Sequence, residues 1–194
     1  MIFNFNDIEL INRKIYSEKL DIIIVSYGGS CSNTLVNRLE ANGYCCNTLF
    51  WRDILCHCPV FLDIKIPIIY IYDDIRRAFL SVKNRKLGWW DINQKKLSNN
   101  NNVVLSDENL LQLMIKQFKT WTVQQCSNVL IIKSKDLFDQ KIVNKLRTFL
   151  NNTKLHSFPV RYNKPKTRVL DNILFNKYYQ DIRYINNFQI QSHR

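Results

Sequence analysis

Tyr27-Gly28-Gly29-Ser30-Cys31-Ser32-Asn33 is the stretch of this chain best suited to chemistry. Two of the chain's four glycines stand side by side in it, between an apolar run and an amphipathic one. A helix N-terminus offers N–H groups without intrahelical partners and a partial positive charge, so a loop at that place favours an anion. Small residues at Ser30, Cys31 and Ser32 let the backbone wrap an oxyanion, and the two serine hydroxyls can donate to it. The loop is not a Walker A sequence, because no Gly-Lys-Ser/Thr follows. A plain tight turn with a helix cap is the other reading of the same residues. Cys45, Cys46, Cys56, His57 and Cys58 mix the side chains that zinc prefers. Their spacing does not match the usual Cys-x2–4-Cys pairs, and adjacent ligands strain tetrahedral geometry, so no metal is expected.

Charge points to anionic partners as well. The chain of 194 residues carries a net charge of +12, and its placement is uneven. Residues 76–96 hold seven Lys/Arg against one acid, and residues 161–194 hold seven against two, so these segments supply +11 of the total. Concentrated charge of this kind fits phosphate or sulfate groups, or a nucleic-acid surface, whereas a Lys-rich solvated face is the alternative. Trp89 and Trp90, set among basic residues, suit an acceptor-binding flap, a nucleic-acid stacking platform, or anchors for their own loop.

These residues need a scaffold, and the hydrophobic pattern supplies one. Asp21-Ile22-Ile23-Ile24-Val25-Ser26-Tyr27 is a continuous run rich in β-branched residues, which reads as a strand covered on both faces. Ser32 or Asn33 is placed to cap a helix to about Asn42, with Leu35, Val36 and Leu39 inward and Gly43 ending it. Ile66 to Tyr72 is a second such strand, and Asp73-Asp74 puts acids at the head of a helix from Ile75 to about Lys86. Leu87 to Val104, with its Asn99–Asn102 run, reads as a mobile polar insertion reaching to about residue 106. Asp107 opens an amphipathic helix carrying Leu110, Leu111, Met114, Ile115, Phe118 and Trp121 on one side. Val129 to Ile132 is a third buried strand, and Ile142, Val143, Leu146, Phe149 and Leu150 mark a helix. After Pro159 and Pro165, one last helix is expected to carry Leu170, Ile173, Leu174, Tyr178, Ile182 and Ile185. Strands alternating with helices predict one α/β domain over 1–194, three-layered, with a mainly parallel central sheet flanked by helices.

No run approaches the roughly 18–20 apolar residues of a membrane span. The first residues lack the layout of a signal peptide, so a cytoplasmic location is expected, with the six cysteines as thiols.

Ser26-Tyr27-Gly28-Gly29-Ser30-Cys31-Ser32-Asn33-Thr34-Leu35 resembles the first motif of the sulfotransferases, a Tyr-Pro-Lys-Ser-Gly-Thr-Thr-like loop. In that family the loop holds the phosphosulfate end of 3′-phosphoadenosine 5′-phosphosulfate. Ile69 to Ser81 looks like the second motif, where a strand ends in Arg-Asn-Pro and a later Ser joins the Arg on the 3′-phosphate. Trp121 and the strand from Val129 to Asp136-Leu137 are similar to the family's later Trp and its strand ending in Tyr-Glu-Asp-Leu. His57-Cys58-Pro59 matches its His-x-Pro. The pieces span most of the chain in the family's order.

The resemblance implies a sulfotransferase fold, akin to the P-loop proteins, and transfer of a sulfuryl group to a hydroxyl or amine. The acceptor would be a glycan, a small molecule or a protein, and the product nucleotide adenosine 3′,5′-bisphosphate. His57 would be the general base. Gly28, Gly29, Ser30, Cys31, Ser32 and Asn33 would cradle the 5′ end, and Ser81 with Arg76 or Arg77 the 3′-phosphate. Two positions depart from the pattern: Gly29 stands where the family's loop has Lys, and Asp73 where it has its phosphate-binding Arg. Lys83, Arg85, Lys164, Lys166 and Arg168 are candidates to replace the loop cation. A catalytically silent nucleotide- or nucleic-acid-binding protein on the same fold is the rival reading. A P-loop kinase is a third, without the loop Lys or an obvious magnesium carboxylate.

Overall fold

The computed structural model describes residues 9, 13, 15–17, 19–47, 55–58, 64–84, 106–123, 126–152, 155 and 172–188. Three strands, β1 (Ile23–Val25), β2 (Ile68–Tyr72) and β3 (Val129–Lys133), form a parallel sheet in the order β1-β2-β3. The register pairs Val25 with Tyr70 and Tyr70 with Ile131. All residues of β1 and β2 are buried, as their unbroken apolar runs require.

Alternate residues of each strand feed two cores. Ile23, Val25, Tyr27, Ile68, Tyr70 and Tyr72 pack with α2 (Ile75–Asn84), α3 (Asp107–Val123), α5 (Asn172–Lys177) and α6 (Tyr179–Asn187). Ile22, Ile24, Ile69, Ile71 and Ile132 pack with α1 (Ser32–Glu40) and α4 (Gln140–Phe149). Helices therefore cover both faces of the sheet. Trp121 of α3, fully buried, lies flat against Tyr70 with ring centres 5.8 Å apart.

A fourth short piece extends the sheet beyond β1. Ile22 and Cys46 form an isolated parallel bridge, and the Asn47 side chain does the work of a strand at Ile24. Its Oδ1 accepts the Ile24 N–H at 2.6 Å, and its Nδ2 donates to the Ile24 carbonyl at 3.1 Å. After β1 the chain thus passes through α1, on one face, to a place outside β1. After β2 it passes through α2 and α3, on the other face, to β3. The two paths diverge between β1 and β2, and in open α/β sheets ligands bind beyond the carboxyl ends of strands at such a switch point.

Two expectations from the sequence need correction. The N-cap of α1 is Cys31, in the left-handed region at φ 59° and without a side-chain cap bond, not Ser32 or Asn33. The left-handed turn through Gly28 and Gly29 uses up the residues that would otherwise lead straight into the helix. The last helix is two, broken at Tyr178 with φ −110°. The break shifts the helical phase, so Phe175 enters the core while Ile173 is 82% exposed; Ile182 and Ile185 are buried as expected. The 87–106 insertion lies outside the described residues up to Leu105, as do Pro159, Pro165 and Leu170. No helix among the described residues is long and apolar enough to cross a membrane.

Candidate functional site

The loop leaves β1 through Ser26 and Tyr27, both buried, and Tyr27 reaches across the switch point to the end of β2. Its hydroxyl donates to the Asp73 carbonyl and accepts the Asp73 N–H at 2.8 Å. Burial first, then the neighbouring Tyr70, pushes the Tyr27 pKa well above its ordinary value, so the phenol stays a donor. Tyr27→Phe is expected to lower stability by about 1–3 kcal/mol, the cost of stranding buried backbone groups. Urea denaturation would measure it, and an unchanged midpoint would show the staple to be unimportant.

Gly28, Gly29 and Cys31 all have positive φ, at 89°, 67° and 59°. A Cβ on Gly29 would lie 2.9 Å from the Ala78 carbonyl oxygen and 3.1 Å from the Ser81 Cβ. The loop is therefore seated on α2, and Gly29 and Ser81, far apart in sequence, are neighbours. No side chain longer than hydrogen fits at Gly29 without movement of α2 or of the loop.

The loop's polar groups turn partly on one another. Gly28 N–H donates to Ser26 Oγ at 3.3 Å, Ser26 Oγ and Ser32 Oγ are 3.5 Å apart, and the fully buried Ser30 donates from Oγ to the Gly28 carbonyl at 3.0 Å. Ser30 thus braces the turn. Cys31 and Ser32 are half-buried and Asn33 is exposed, so these residues form the mouth.

Two helices begin at this edge, and among the described residues side-chain caps are seen at one of them. At α2, Asp73 Oδ1 accepts the Asp74 N–H at 2.6 Å, Asp74 Oδ1 the Arg77 N–H at 3.0 Å, and Asn186 Oδ1 the Ile75 N–H at 3.3 Å. At α1 the cap residue makes no such bond. The first-turn N–H groups of α1 are the better place for an anion.

His57 comes to the same place from the connection between Asn47 and β2. The Ser26 N–H donates to the Cys56 carbonyl at 2.9 Å, and His57 Nδ1 lies 2.7 Å from the Ser26 carbonyl oxygen. Both Gln117 Nε2 and Trp121 Nε1 of α3 donate to the Cys58 carbonyl, at 3.0 and 2.8 Å, fixing this turn from beneath. Burial lowers the His57 pKa to about 4, against a smaller raising effect of the Ser26 carbonyl. The imidazole is then neutral at pH 7. Because a carbonyl can only accept, Nδ1 carries the proton and Nε2 the lone pair, the tautomer a general base needs.

The cations are distributed unevenly. Arg77 is ion-paired with Asp73, which is 1% exposed, so its charge is matched inside the fold. Arg76 sits over the Phe175 ring at 5.5 Å, and its Nε is buried without a hydrogen-bond partner. Lys83 pairs with Asp107. Through Arg76, and through Phe79 packed edge-on against Phe175 at 5.5 Å, the described parts of the two basic segments adjoin each other beside the loop. Lys166 and Arg168 lie outside the described residues, as do Arg85, Lys164, Trp89 and Trp90.

The cysteine–histidine cluster does not assemble. Cys46 lies in the core on one face of the sheet and Cys58 in the core on the other. All six cysteines stand as thiols, and among the described residues no group of three or more His, Cys, Asp or Glu is arranged to hold a metal ion.

The sequence reading passed over Ser26, whose N–H, carbonyl and hydroxyl join the loop to the His57 turn. Its signal was only its position, the last residue before Tyr27. Comparison with protein-family models, with curated proteins and with solved structures returns no match to this chain.

Proposed function

We propose that the chain is a sulfotransferase-like protein that moves a sulfuryl group from 3′-phosphoadenosine 5′-phosphosulfate to a hydroxyl or amine. The observation that carries this reading is His57: a neutral imidazole with Nδ1 on the Ser26 carbonyl, beside an anion-type loop at the switch point. His57 Nε2 takes the acceptor's proton as the acceptor atom bonds to sulfur and the bond from sulfur to the bridging phosphate oxygen breaks. The first-turn N–H groups of α1, at Ser32 and Asn33, hold the 5′ end, and Ser81 with Arg76 faces the 3′-phosphate. In-line transfer of this kind depends on positioning and charge more than on covalent help, by analogy with phosphoryl transfer.

A silent binder of nucleotides or nucleic acid is the second reading, favoured by the neutralised Arg77 and by the absence of room for a lysine at Gly29. Titration calorimetry with adenosine 3′,5′-bisphosphate tests what the two readings share for a nucleotide ligand. Wild type is expected to bind in the micromolar range, about −8 kcal/mol. No heat at millimolar ligand would defeat the donor assignment, and binding without transfer to a panel of acceptors would favour the silent binder.

A further inference from the structure

The carboxyl edge of the sheet holds a second set of donors, and one segment takes all of them. Lys133 Nζ donates to the Asn186 carbonyl at 2.5 Å, the Tyr72 hydroxyl to the Phe188 carbonyl at 3.1 Å, and the Ile75 N–H to Asn186 Oδ1 at 3.3 Å. The donors come from the ends of β2 and β3 and the start of α2, with Tyr72 and Lys133 paired in the strand register. The acceptors come only from the last turn of α6 and the residue after it.

Lys133 brings a positive charge to the end of α6, where the last carbonyls carry partial negative charge. It is half-buried above the Tyr72 ring, 5.8 Å from its centre, and burial lowers its pKa. Lys135 lowers it further, and Asp136, Asp74 and Asp73 oppose the shift. An ammonium, a phenol and a helix-start N–H together are the donors that phosphate and sulfate oxygens use. Here carbonyl and amide oxygens stand in for them. The set also adjoins the loop, since Ile75 follows the Asp73 that Tyr27 holds.

We propose that the last turn of α6 is an autoinhibitory latch: its oxygens occupy an anion subsite made by Lys133, Tyr72 and Ile75, and a phosphate- or sulfate-bearing ligand opens it by displacing Asn186 and Phe188. This deepens the proposed function and rests on the neighbouring loop being an anion site. The latch is sprung by aromatic contacts, with Phe188 edge-on to Phe118 at 5.3 Å and to Tyr72 at 6.1 Å.

Calorimetry with inorganic pyrophosphate on wild type, Asn186→Ala, Asn186→Asp and Asn186→Ala/Lys133→Met tests it, with thermal melts to confirm folding. Asn186→Ala removes one of the three latch bonds, that to Ile75, and is expected to bind about three- to tenfold tighter than wild type, the upper figure being that for full release of a latch open about a tenth of the time. Asn186→Asp should bind no better than wild type, because its carboxylate keeps the Ile75 N–H and adds attraction for Lys133. Lys133→Met should cancel the gain. If both Asn186 variants lower the melting temperature and leave affinity unchanged, the contact is reciprocal helix capping and the latch is wrong. The loop reading is scored separately, by adenosine 3′,5′-bisphosphate on wild type. Failure there, with a Lys133-dependent gain in Asn186→Ala, would sink the nucleotide-donor assignment and keep the anion latch; the reverse pattern would do the opposite.

Discussion

Gly29→Ala is expected to lower stability by about 2–5 kcal/mol. About 1–2 kcal/mol comes from placing a side chain in the left-handed region, and about 1–3 from forcing a methyl into packed structure. The Cβ would meet the Ala78 carbonyl oxygen at 2.9 Å and Ala78 Cα at 3.0 Å, both backbone atoms of α2 that cannot rotate away. Gly43 supplies the control. Its φ of 86° carries the same backbone penalty, but nothing lies within 4 Å of its Cβ position. At about 2–4 °C per kcal/mol for a chain of this size, Gly29→Ala should melt several degrees below Gly43→Ala. Equal melting temperatures would mean that the loop is not seated on α2. Gly29→Lys should fare no better than Gly29→Ala, so a lysine at this position, as in the loop that the sequence resembles, would damage the turn instead of improving it.

The second large effect concerns His57 and is read in two ways. On the proposed function, His57→Ala should reduce sulfuryl transfer by about 10²–10⁴-fold, the usual loss for a general base. Binding of adenosine 3′,5′-bisphosphate should stay within a fewfold of wild type, because the base acts on the acceptor. A large loss of binding instead would place His57 on the nucleotide. The pH dependence has a fixed sign. With the folded-state pKa lowered from 6.5 to about 4, the base form persists through the neutral range, and transfer falls only as pH drops toward about 4. Stability follows the same proton. Between pH 6.5 and about 4 the unfolded chain binds more protons at this residue than the folded one. Stability from His57 is therefore full above pH 6.5 and is lost as pH falls through that window, by about 2–3 kcal/mol. His57→Gln should flatten this part of the acid-denaturation curve. A curve identical to wild type would mean that the imidazole titrates alike in both states.

The scaffold was legible because β1 and β2 are buried on both faces; β3, expected to be buried as well, lies at the sheet's margin and is half-buried except at Ile132. Runs such as Ile22–Val25 and Ile68–Tyr72 have no solvent side, so they appear as unbroken apolar sequence, and α3 declares itself by its stripe from Leu110 to Trp121. The division of the final helix at Tyr178 was not legible, because Ile173, Leu174, Ile182 and Ile185 keep a continuous-looking period and only the phase shift puts Phe175 inward. At the site, the glycine pair located the loop, but not the helix on which it rests. The Arg76-Arg77 pair gave charge without its disposition. Asp73 and Arg77 stand four apart, the spacing at which a carboxylate and a guanidinium meet on a helix, and that signal was there to be read. Asn186 left no trace and Ser26 only its place before Tyr27, since their contacts to Ile75 and to the His57 turn cross long stretches of chain, and no local pattern encodes those.

Asn47 closes the outer side of β1 with a side chain. Backbone strands present repeating donors and acceptors that another molecule can extend, which makes an open edge a starting point for aggregation. At Ile24 both peptide groups facing outward are already matched by one amide, its oxygen on the N–H and its nitrogen on the carbonyl. A side chain offers no further rung beyond itself, so a strand from a second molecule cannot pair with Ile24 without first evicting Asn47. Among the described residues, the substitution of an amide for a strand thus gives the sheet a stop at Ile24, and β1, which carries the loop, is shielded there from growing into an intermolecular ladder.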